Sequence, residues 1–305
     1  MKILVTGANG FLARNLIEYY SKDNNSILGL TRNLLHTNVN KTNLVYKKYN
    51  PSKSEYLIKL VKEFKPDLLF HTAAQSNPTL SWKQPLDTLT DNVNLTYSLI
   101  NSIAITNSPC KFILFSSSSI YRESRNKIKE SSSLSVNTPY ALSKYSQEKI
   151  TEMFAMKHNI PFIIIRPFCI TGPKKFGDVC NDWAKGVASL IKNNKQVLKV
   201  GNIKGVTRDF LHIHDFLSAL DLIVTVGRRR VYNICSASPM KLSNLINLFR
   251  KASGLNFDIS CDIDKMRSVN DSSIVGDNSR LVNLGWKKKI NNNSLIEELI
   301  KSYIK

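Results

Sequence analysis

Acidic side chains are scarce in this chain: 23 Asp and Glu stand against 43 Lys and Arg, a net charge of +20. A surplus of that size suits nucleic acid, an anionic membrane surface or an anionic small substrate. The basic residues are spread along the chain, often beside asparagines. The two runs, Arg228-Arg229-Arg230 and Lys287-Lys288-Lys289, fall in turn-like segments and are not interleaved with aromatics. This reads as a solvated basic surface with no specific nucleic-acid partner. Cysteine is scarce too. Cys110, Cys169, Cys180, Cys235 and Cys261 are odd in number and form no C-x-x-C pair. That argues against a disulfide frame and a zinc site, and fits a reducing cytoplasm. His212 and His214 alternate without an evident third ligand, so no metal site is expected. Long apolar runs are missing, which excludes a membrane-spanning helix. The N-terminal apolar run is four residues and stops at Gly7, which reads as a strand and not a signal peptide.

What is present is a chain of 305 residues with 42% hydrophobic content, enough for one large domain or two smaller ones. Strand-like runs at 2–6, 26–31, 44–48, 68–71, 112–116 and 162–167 alternate with helical stretches at 12–20, 54–64, 85–106 and 139–157. This alternation predicts parallel crossovers and an α/β, doubly wound parallel sheet. After Pro167 the rhythm changes. Gly172-Pro173 breaks the chain, and 181–193, 242–252 and 293–303 read as helices around a short strand at 197–200. The expected division is a dinucleotide-binding domain over 1–165, to which 207–235 returns, and a smaller substrate-binding lobe over 166–206 and 236–305.

Four stretches carry chemistry. Gly7-Ala8-Asn9-Gly10-Phe11-Leu12-Ala13 follows the first strand and opens the first helix, in a G-x-x-G-x-x-A spacing. Glycines there permit a tight turn and close approach of a pyrophosphate to the helix N-terminus. At the end of the second strand stands Arg32 and no acid, which suits the 2′-phosphate of NADP(H) over NAD(H). Ser116 to Ser119 end an apolar strand at the sheet's carboxyl edge, where ligands bind in open α/β folds. Tyr140 and Lys144 sit four apart in a helical stretch, so the phenol and the ammonium share one face. Nearby positive charge favours the phenolate and would lower the tyrosine pKa. Taken alone, the pair also fits an ordinary exposed helix.

Together, TGANGFLA at 6–13, FHTAAQS at 70–76, DNVNLTYSLI at 91–100, FSSSSIY at 115–121, YALSK at 140–144, RPFCITGP at 166–173 and RDFLHIHD at 208–215 resemble the extended short-chain dehydrogenase/reductase superfamily, the nucleotide-sugar epimerases, dehydratases and reductases. The resemblance covers nearly the whole chain. It implies a Rossmann-like fold with a C-terminal substrate lobe. Tyr140 is then the catalytic acid/base, Lys144 holds the nicotinamide ribose and depresses the tyrosine pKa, and Ser117 orients the sugar. Gly7, Asn9, Gly10, Phe11, Leu12, Arg32, Ala73, Ala74, Asn92 and Pro167 join Tyr140 and Lys144 as cofactor-binding residues. A homodimer through helices 85–106 and 139–157 is implied, with Leu95, Leu99 and Ile103 facing the partner or the sheet.

Sugar 4,6-dehydratases of this superfamily carry an acid two residues before the tyrosine matching Tyr121; here that place is Ser119, a poor base. KVGNIKGVTRDF at 199–210, VYNICSA at 231–237 and IVGDNSRLVNLGWK at 274–287 resemble the GDP-6-deoxy-4-keto-mannose reductase branch. That branch implies that Arg208 and Arg267 contact the diphosphate, with Gln75, Ser117, Ser118, Asn181 and Val200 also at the substrate. The chain departs from the branch at several places: Cys169 stands for an Asn that touches substrate, Asn50 for an acid near the adenine, and Asn77-Pro78 and Trp82 lie in the loop after Gln75, a region that lines the sugar. These suit a related sugar, such as a heptose. The expected reaction is NADPH-dependent 4-keto reduction of a GDP-linked 4-keto-6-deoxy sugar, mannose- or heptose-type, for surface polysaccharide. A 4-epimerase with retained NAD(P) and a catalytically silent dinucleotide-binding protein are the alternatives.

Overall fold

The computed structural model describes residues 1–34, 43–49, 54–193, 196–262 and 273–304. Short Ile-, Leu-, Val- and Phe-rich runs make its strands. β1 (Lys2–Thr6) leads into α1 (Phe11–Tyr20); β2 (Ser26–Thr31), β3 (Leu44–Lys48), α2 (Ser54–Phe64) and β4 (Leu68–His71) follow. Then come α3 (Pro78–Lys83), α4 (Pro85–Thr106), β5 (Lys111–Phe115), α5 (Pro139–Lys157) and β6 (Phe162–Pro167). Beyond these lie β7 (Cys169–Thr171), α6 (Val179–Asn193), β8 (Val197–Val200), β9 (Thr207–Arg208), β10 (Phe210–His212) and α7 (Ile213–Val226). The chain ends with β11 (Val231–Ile234), β12 (Met240–Lys241), α8 (Leu242–Ser253), β13 (Asp258–Cys261), α9 (Ser279–Val282) and α10 (Asn292–Ile304).

Seven strands form one sheet in the order β11-β6-β5-β4-β1-β2-β3. The pairs from β6 to β3 are parallel. The chain winds outward from β1 through β2 and β3, then returns to β4 on the other side of β1. That reversal makes the sheet doubly wound and puts a switch point between β1 and β4, where open α/β sheets bind ligands. Both faces are covered. Leu4, Leu69, Phe112 and Leu114 share one core with Leu57 and Leu60 of α2 and Leu95 and Leu99 of α4. From the alternate positions, Phe70 meets Tyr20 of α1 at 5.3 Å between ring centroids and Phe115 at 6.3 Å. Burial on both faces explains why these strands read as continuous apolar runs.

The strand and helix positions read from the sequence agree closely with these elements. One stretch is corrected. The segment after Gln75 is not a loop: the Asn77 side chain accepts from Thr79 N and Leu80 N, and Pro78 occupies the first helical position, so α3 starts there. α7 was not foreseen. Its run IHDFLSALDLIVTV is apolar on most sides, and periodicity alone cannot tell such a run from strands. Among the described residues, no helix is long and apolar enough to cross a membrane.

The chain divides into two compact units: 1–122 with 133–166 and 228–232, and 123–132 with 167–227 and 233–305. The sequence reading put 207–235 in the first. Residues 207–227 group with the second because β10 pairs with β7 in parallel and α7 is tied to the C-terminal segment. The Asp215 carboxylate accepts from Lys289 N and Ile290 N, both at 2.9 Å, and Trp286 Nε1 donates to Ser218 Oγ at 3.1 Å. The core of the second unit gathers Trp183, Leu245, Phe249, Ile296 and Leu299 from α6, α8 and α10. Its main polar anchor is Asp209. That fully buried carboxylate accepts from Ser236 N at 2.8 Å, Ser236 Oγ at 2.6 Å, Ala237 N at 3.0 Å and Gly276 N at 3.0 Å. Asp209→Ala strands these donors, and a loss of roughly 3 kcal/mol is expected in denaturant unfolding. A loss below about 1 kcal/mol would show that the donors find other acceptors.

Candidate active site

The tip of β1 has no room for a side chain. Gly7 has φ +67°, and a Cβ there would stand 2.8 Å from Ala73 Cα. The glycine turn therefore lies directly against the segment that leaves β4, at the switch point. Gly10 N donates to Gly7 O at 2.7 Å and closes the turn. Gly10 then caps α1 with extended backbone, without a side-chain cap and without an acid in the first turn, where Phe11 and Leu12 are half-buried. An α-helix N-terminus left without a side-chain cap, reached across glycine, accepts a phosphate through its amides and dipole. Around this cradle, Ala73 N donates to Thr6 Oγ1 at 3.1 Å, and Ala74 follows it half-buried. Asn9 Nδ2 donates to Thr31 Oγ1 at 2.7 Å and to Asn33 O at 2.6 Å, fixing the end of β2. Beside it, Arg32 Nη1 pairs with Asp91 Oδ2 at 3.0 Å, with side chains 60% and 48% exposed. An exposed pair of this kind contributes about 0–1 kcal/mol, so a stronger anion can take the guanidinium.

α5 starts where Thr138 Oγ1 accepts from Ala141 N at 3.0 Å and Pro139 fills the first turn. Its buried face is unusual in being polar: Tyr140, Lys144, Gln147, Glu148 and Thr151 all point inward. The Tyr140 hydroxyl is hydrogen-bonded to Ser117. Ser117 Oγ also accepts from Ser119 N at 3.1 Å, which holds it at the mouth of the turn over Ser118–Ile120. Lys144 Nζ donates to Phe115 O at 2.9 Å. Burial pulls the Lys144 ammonium down to about 7, against the carboxylate of Glu148, which favours the charge. Burial pushes the Tyr140 phenol above its ordinary value of 10.0, with the Ser117 bond acting the other way. The expectation that Lys144 depresses Tyr140 is therefore corrected: in the chain itself desolvation dominates, and the ammonium is bonded to Phe115 O.

A buried polar network supports these residues. Asn92 Oδ1 accepts from Gln75 N at 2.7 Å, and Asn92 Nδ2 donates to Ser143 Oγ at 2.9 Å. Gln147 Nε2 donates to Asn92 O at 3.1 Å and to Thr96 Oγ1 at 2.7 Å. His71 spans Thr6 Oγ1 at 3.0 Å and Thr96 Oγ1 at 2.8 Å. Thr96 Oγ1 donates to Asn92 O at 2.8 Å, so it accepts from His71 Nε2–H, and Nδ1 of the same ring accepts from the Thr6 hydroxyl. Burial, with the charge of Lys144, holds His71 down to about 3, so the ring is neutral. The sequence reading did not find Thr96 or Gln147. The available signal was the polar residue at the third position beyond Lys144, on the same helical face.

The expected substrate residues are placed less uniformly. In the first unit, Ser118 opens the turn after Ser117, while the Gln75 side chain folds back onto Asn77 and donates to Thr88 Oγ1 at 3.1 Å. Pro167 ends β6. In the second unit, Val200 ends β8 and is buried. Asn181 is buried with its side chain engaged: Nδ2 donates to Gly172 O at 3.0 Å and Oδ1 accepts from Tyr303 at 2.9 Å. Arg208 lies on β9 and donates to Thr207 O at 2.9 Å. Cys169 lies on β7, its thiol pushed up by burial. His212 accepts from His214 N at 3.1 Å and pairs with Glu298 at 3.1 Å. Arg267 and Asn50 lie outside the described residues.

A match to the NAD dependent epimerase/dehydratase family runs over residues 3–235. GDP-6-deoxy-D-mannose reductase of Pseudomonas aeruginosa is 28% identical over 297 residues, 95% of this chain and 92% of that protein. A dTDP-D-glucose 4,6-dehydratase of Dictyostelium discoideum is 30% identical over 266 residues, 80% of this chain and 60% of that protein. The structure of RMD from Pseudomonas aeruginosa complexed with NADPH matches with a TM-score of 0.84 at 25% identity, covering 99% of this chain and 98% of that one. The chain belongs to the NAD-dependent epimerase/dehydratase family, the extended short-chain dehydrogenase/reductases, and is an NAD(P)-dependent nucleotide-sugar enzyme.

A buried ammonium has a pH signature. Lys144 titrates at about 7 in the fold and near 10.5 unfolded, so between those values the unfolded chain binds the extra proton. Stability then rises with pH across this window, the reverse of the usual lysine case. Relative to Lys144→Met, the natural chain should gain stability from about pH 7 to about pH 10 in parallel melts. A constant difference would show that the ammonium is not buried.

Proposed function

We propose that this chain reduces the 4-keto group of a GDP-linked 4-keto-6-deoxy sugar, mannose- or heptose-type, with NADPH, and so makes a precursor of surface polysaccharide. The observation that carries the reading is the buried Tyr140 hydroxyl, bonded to Ser117 and one helical turn from Lys144. A phenol kept above its ordinary value is protonated at neutral pH, as a group that must donate a proton has to be. NADPH, when bound, supplies a hydride to the carbonyl carbon. Tyr140 donates its proton to the oxygen that gains charge, and the Ser117 hydroxyl donates a hydrogen bond to the same oxygen. Lys144 takes the nicotinamide ribose. Gly7, Gly10, Ala73 and the start of α1 take the pyrophosphate, and Arg32 takes the 2′-phosphate. Likeness to the Pseudomonas reductase over nearly the whole chain, and to a structure holding NADPH, supports the reductant and the GDP-sugar. The place of the dehydratase acid is held by Ser119, whose hydroxyl is buried.

A 4-epimerase with retained NAD(P) is the second reading. Asp91 favours it, because a carboxylate against Arg32 offsets the charge that would select the 2′-phosphate. For assembly, α4 and α5 leave Tyr97, Leu142, Met153 and Met156 exposed, which supports pairing with a second copy.

With GDP-4-keto-6-deoxy-mannose, and in parallel the heptose, the chain should oxidise NADPH faster than NADH. Tyr140→Phe should lower kcat about 10²–10⁴-fold and leave NADPH binding intact. Turnover surviving in that variant would remove Tyr140 from the chemistry. No oxidation with either sugar, together with tight dinucleotide binding, would move the assignment to the epimerase. Arg32→Ser should weaken NADPH roughly tenfold and leave NADH unchanged in fluorescence titration. Equal losses for both would show that Arg32 does not read the 2′-phosphate.

A further inference from the structure

Ser117 and the Tyr140–Lys144 pair come from different elements, and their mutual register has to be held within a fraction of an ångström for proton transfer. Apolar packing seats α5 through Ala155, Ile150 and Phe154, but around Tyr140 and Lys144 its inward face is polar, and non-directional contacts do not fix a register there. Directional bonds do. Tyr121 closes the turn that begins at Ser117, with Tyr121 N donating to Ser118 O at 3.2 Å. Arg166, on β6, donates from Nη1 to the Tyr121 hydroxyl at 2.8 Å and lies over that ring at 5.0 Å. The same guanidinium grips Glu148 in a two-pronged pair, Nε to Oε1 at 2.9 Å and Nη2 to Oε2 at 2.7 Å. Glu148 stands one turn beyond Lys144 on α5, and the two charged side chains are 7% and 1% exposed.

We infer that Tyr121, Arg166 and Glu148 are positioning residues, a clamp that sets the register of Tyr140 and Lys144 against Ser117. The inference rests on the reading of Ser117, Tyr140 and Lys144 as the reducing site. Stability alone is a poor explanation of the clamp, since a buried ion pair is commonly no better for stability than apolar residues of its size. What it adds is direction, because a two-pronged guanidinium–carboxylate pair tolerates little rotation. Glu148 also adjusts Lys144. The groups that face the ammonium are Glu148 from α5, His71 from β4 and Phe115 O from β5, and Glu148 supplies the negative charge among them. Arg166 holds that carboxylate in place.

The test is the double variant Glu148→Gln with Arg166→Met, which removes both buried charges together. It should fold and bind NADPH within about threefold of the natural chain, yet lose about tenfold or more in kcat at little-changed KM. With Glu148 gone, Lys144 loses its proton at lower pH, so the alkaline limb of turnover should move to lower pH. A folded double variant with the natural kcat and pH profile would overturn the clamp. If the double variant does not fold, Tyr121→Phe decides: it removes only the hydroxyl, and an unchanged kcat would overturn the clamp while a several-fold loss at constant NADPH affinity upholds it. If the natural chain turns over neither ketosugar, the proposed function fails, but the clamp is still read without sugar. The pH dependence of NADPH affinity must then differ between the natural chain and the folded variant, and identical curves would overturn it.

Discussion

Lys144 carries its ammonium into the interior, with Phe115 O as acceptor at 2.9 Å and Glu148 one turn away as its negative neighbour. Much of the first unit follows from accommodating that charge. An amphipathic helix ordinarily turns its apolar stripe to the core. α5 does so only in part: Ala155, Ile150 and Phe154 meet the core, but Tyr140, Lys144, Gln147 and Glu148 also turn inward, and Leu142, Met153 and Met156 are left exposed. Each buried polar group then needs a partner, since an unmatched one costs on the order of 1–3 kcal/mol. Arg166 answers Glu148, Asn92 answers Ser143, and Thr96 and the Asn92 carbonyl answer the Gln147 amide nitrogen. His71 is kept neutral in part by the ammonium itself.

This polar seam runs beneath the switch point of the sheet. The chain reverses across the paired strands β1 and β4, and just beyond their ends Gly7 brings its backbone against Ala73. Thr6 and His71, the last residues of those strands, join the glycine turn to α4 and through it to α5. The glycine turn and the helix that carries Tyr140 and Lys144 are thus one hydrogen-bonded construction. The second unit is organised separately, around the buried carboxylates of Asp209 and Asp215.

Most of the fold was legible in the sequence for local reasons. Strands buried on both faces read as short apolar runs, and glycine, proline and asparagine mark where they end. The short pieces at β7, β9, β10, β12 and β13 were not found. Two to four residues carry no periodicity, and their pairing is set by distant partners such as Thr171 with His212. Within the candidate site, the glycine turn, Ser117, Tyr140 and Lys144 were legible because each belongs to a motif of fixed spacing. Asn181 and Gln75 were placed at the substrate by resemblance, and the structure occupies their side chains with Gly172, Tyr303, Asn77 and Thr88.

The sequence by itself determined the doubly wound order of elements, the glycine turn and the one-turn spacing of Tyr140 from Lys144. These depend on local backbone preference and on the periods of strand and helix. Tertiary structure alone decided the charge states and the register. The Tyr140 phenol is raised because the fold buries it, Lys144 is lowered for the same reason, and Arg166 meets Glu148 and Tyr121 from separate elements. Desolvation and directional bonding arise only when segments far apart in sequence close around one another, so no local pattern records them.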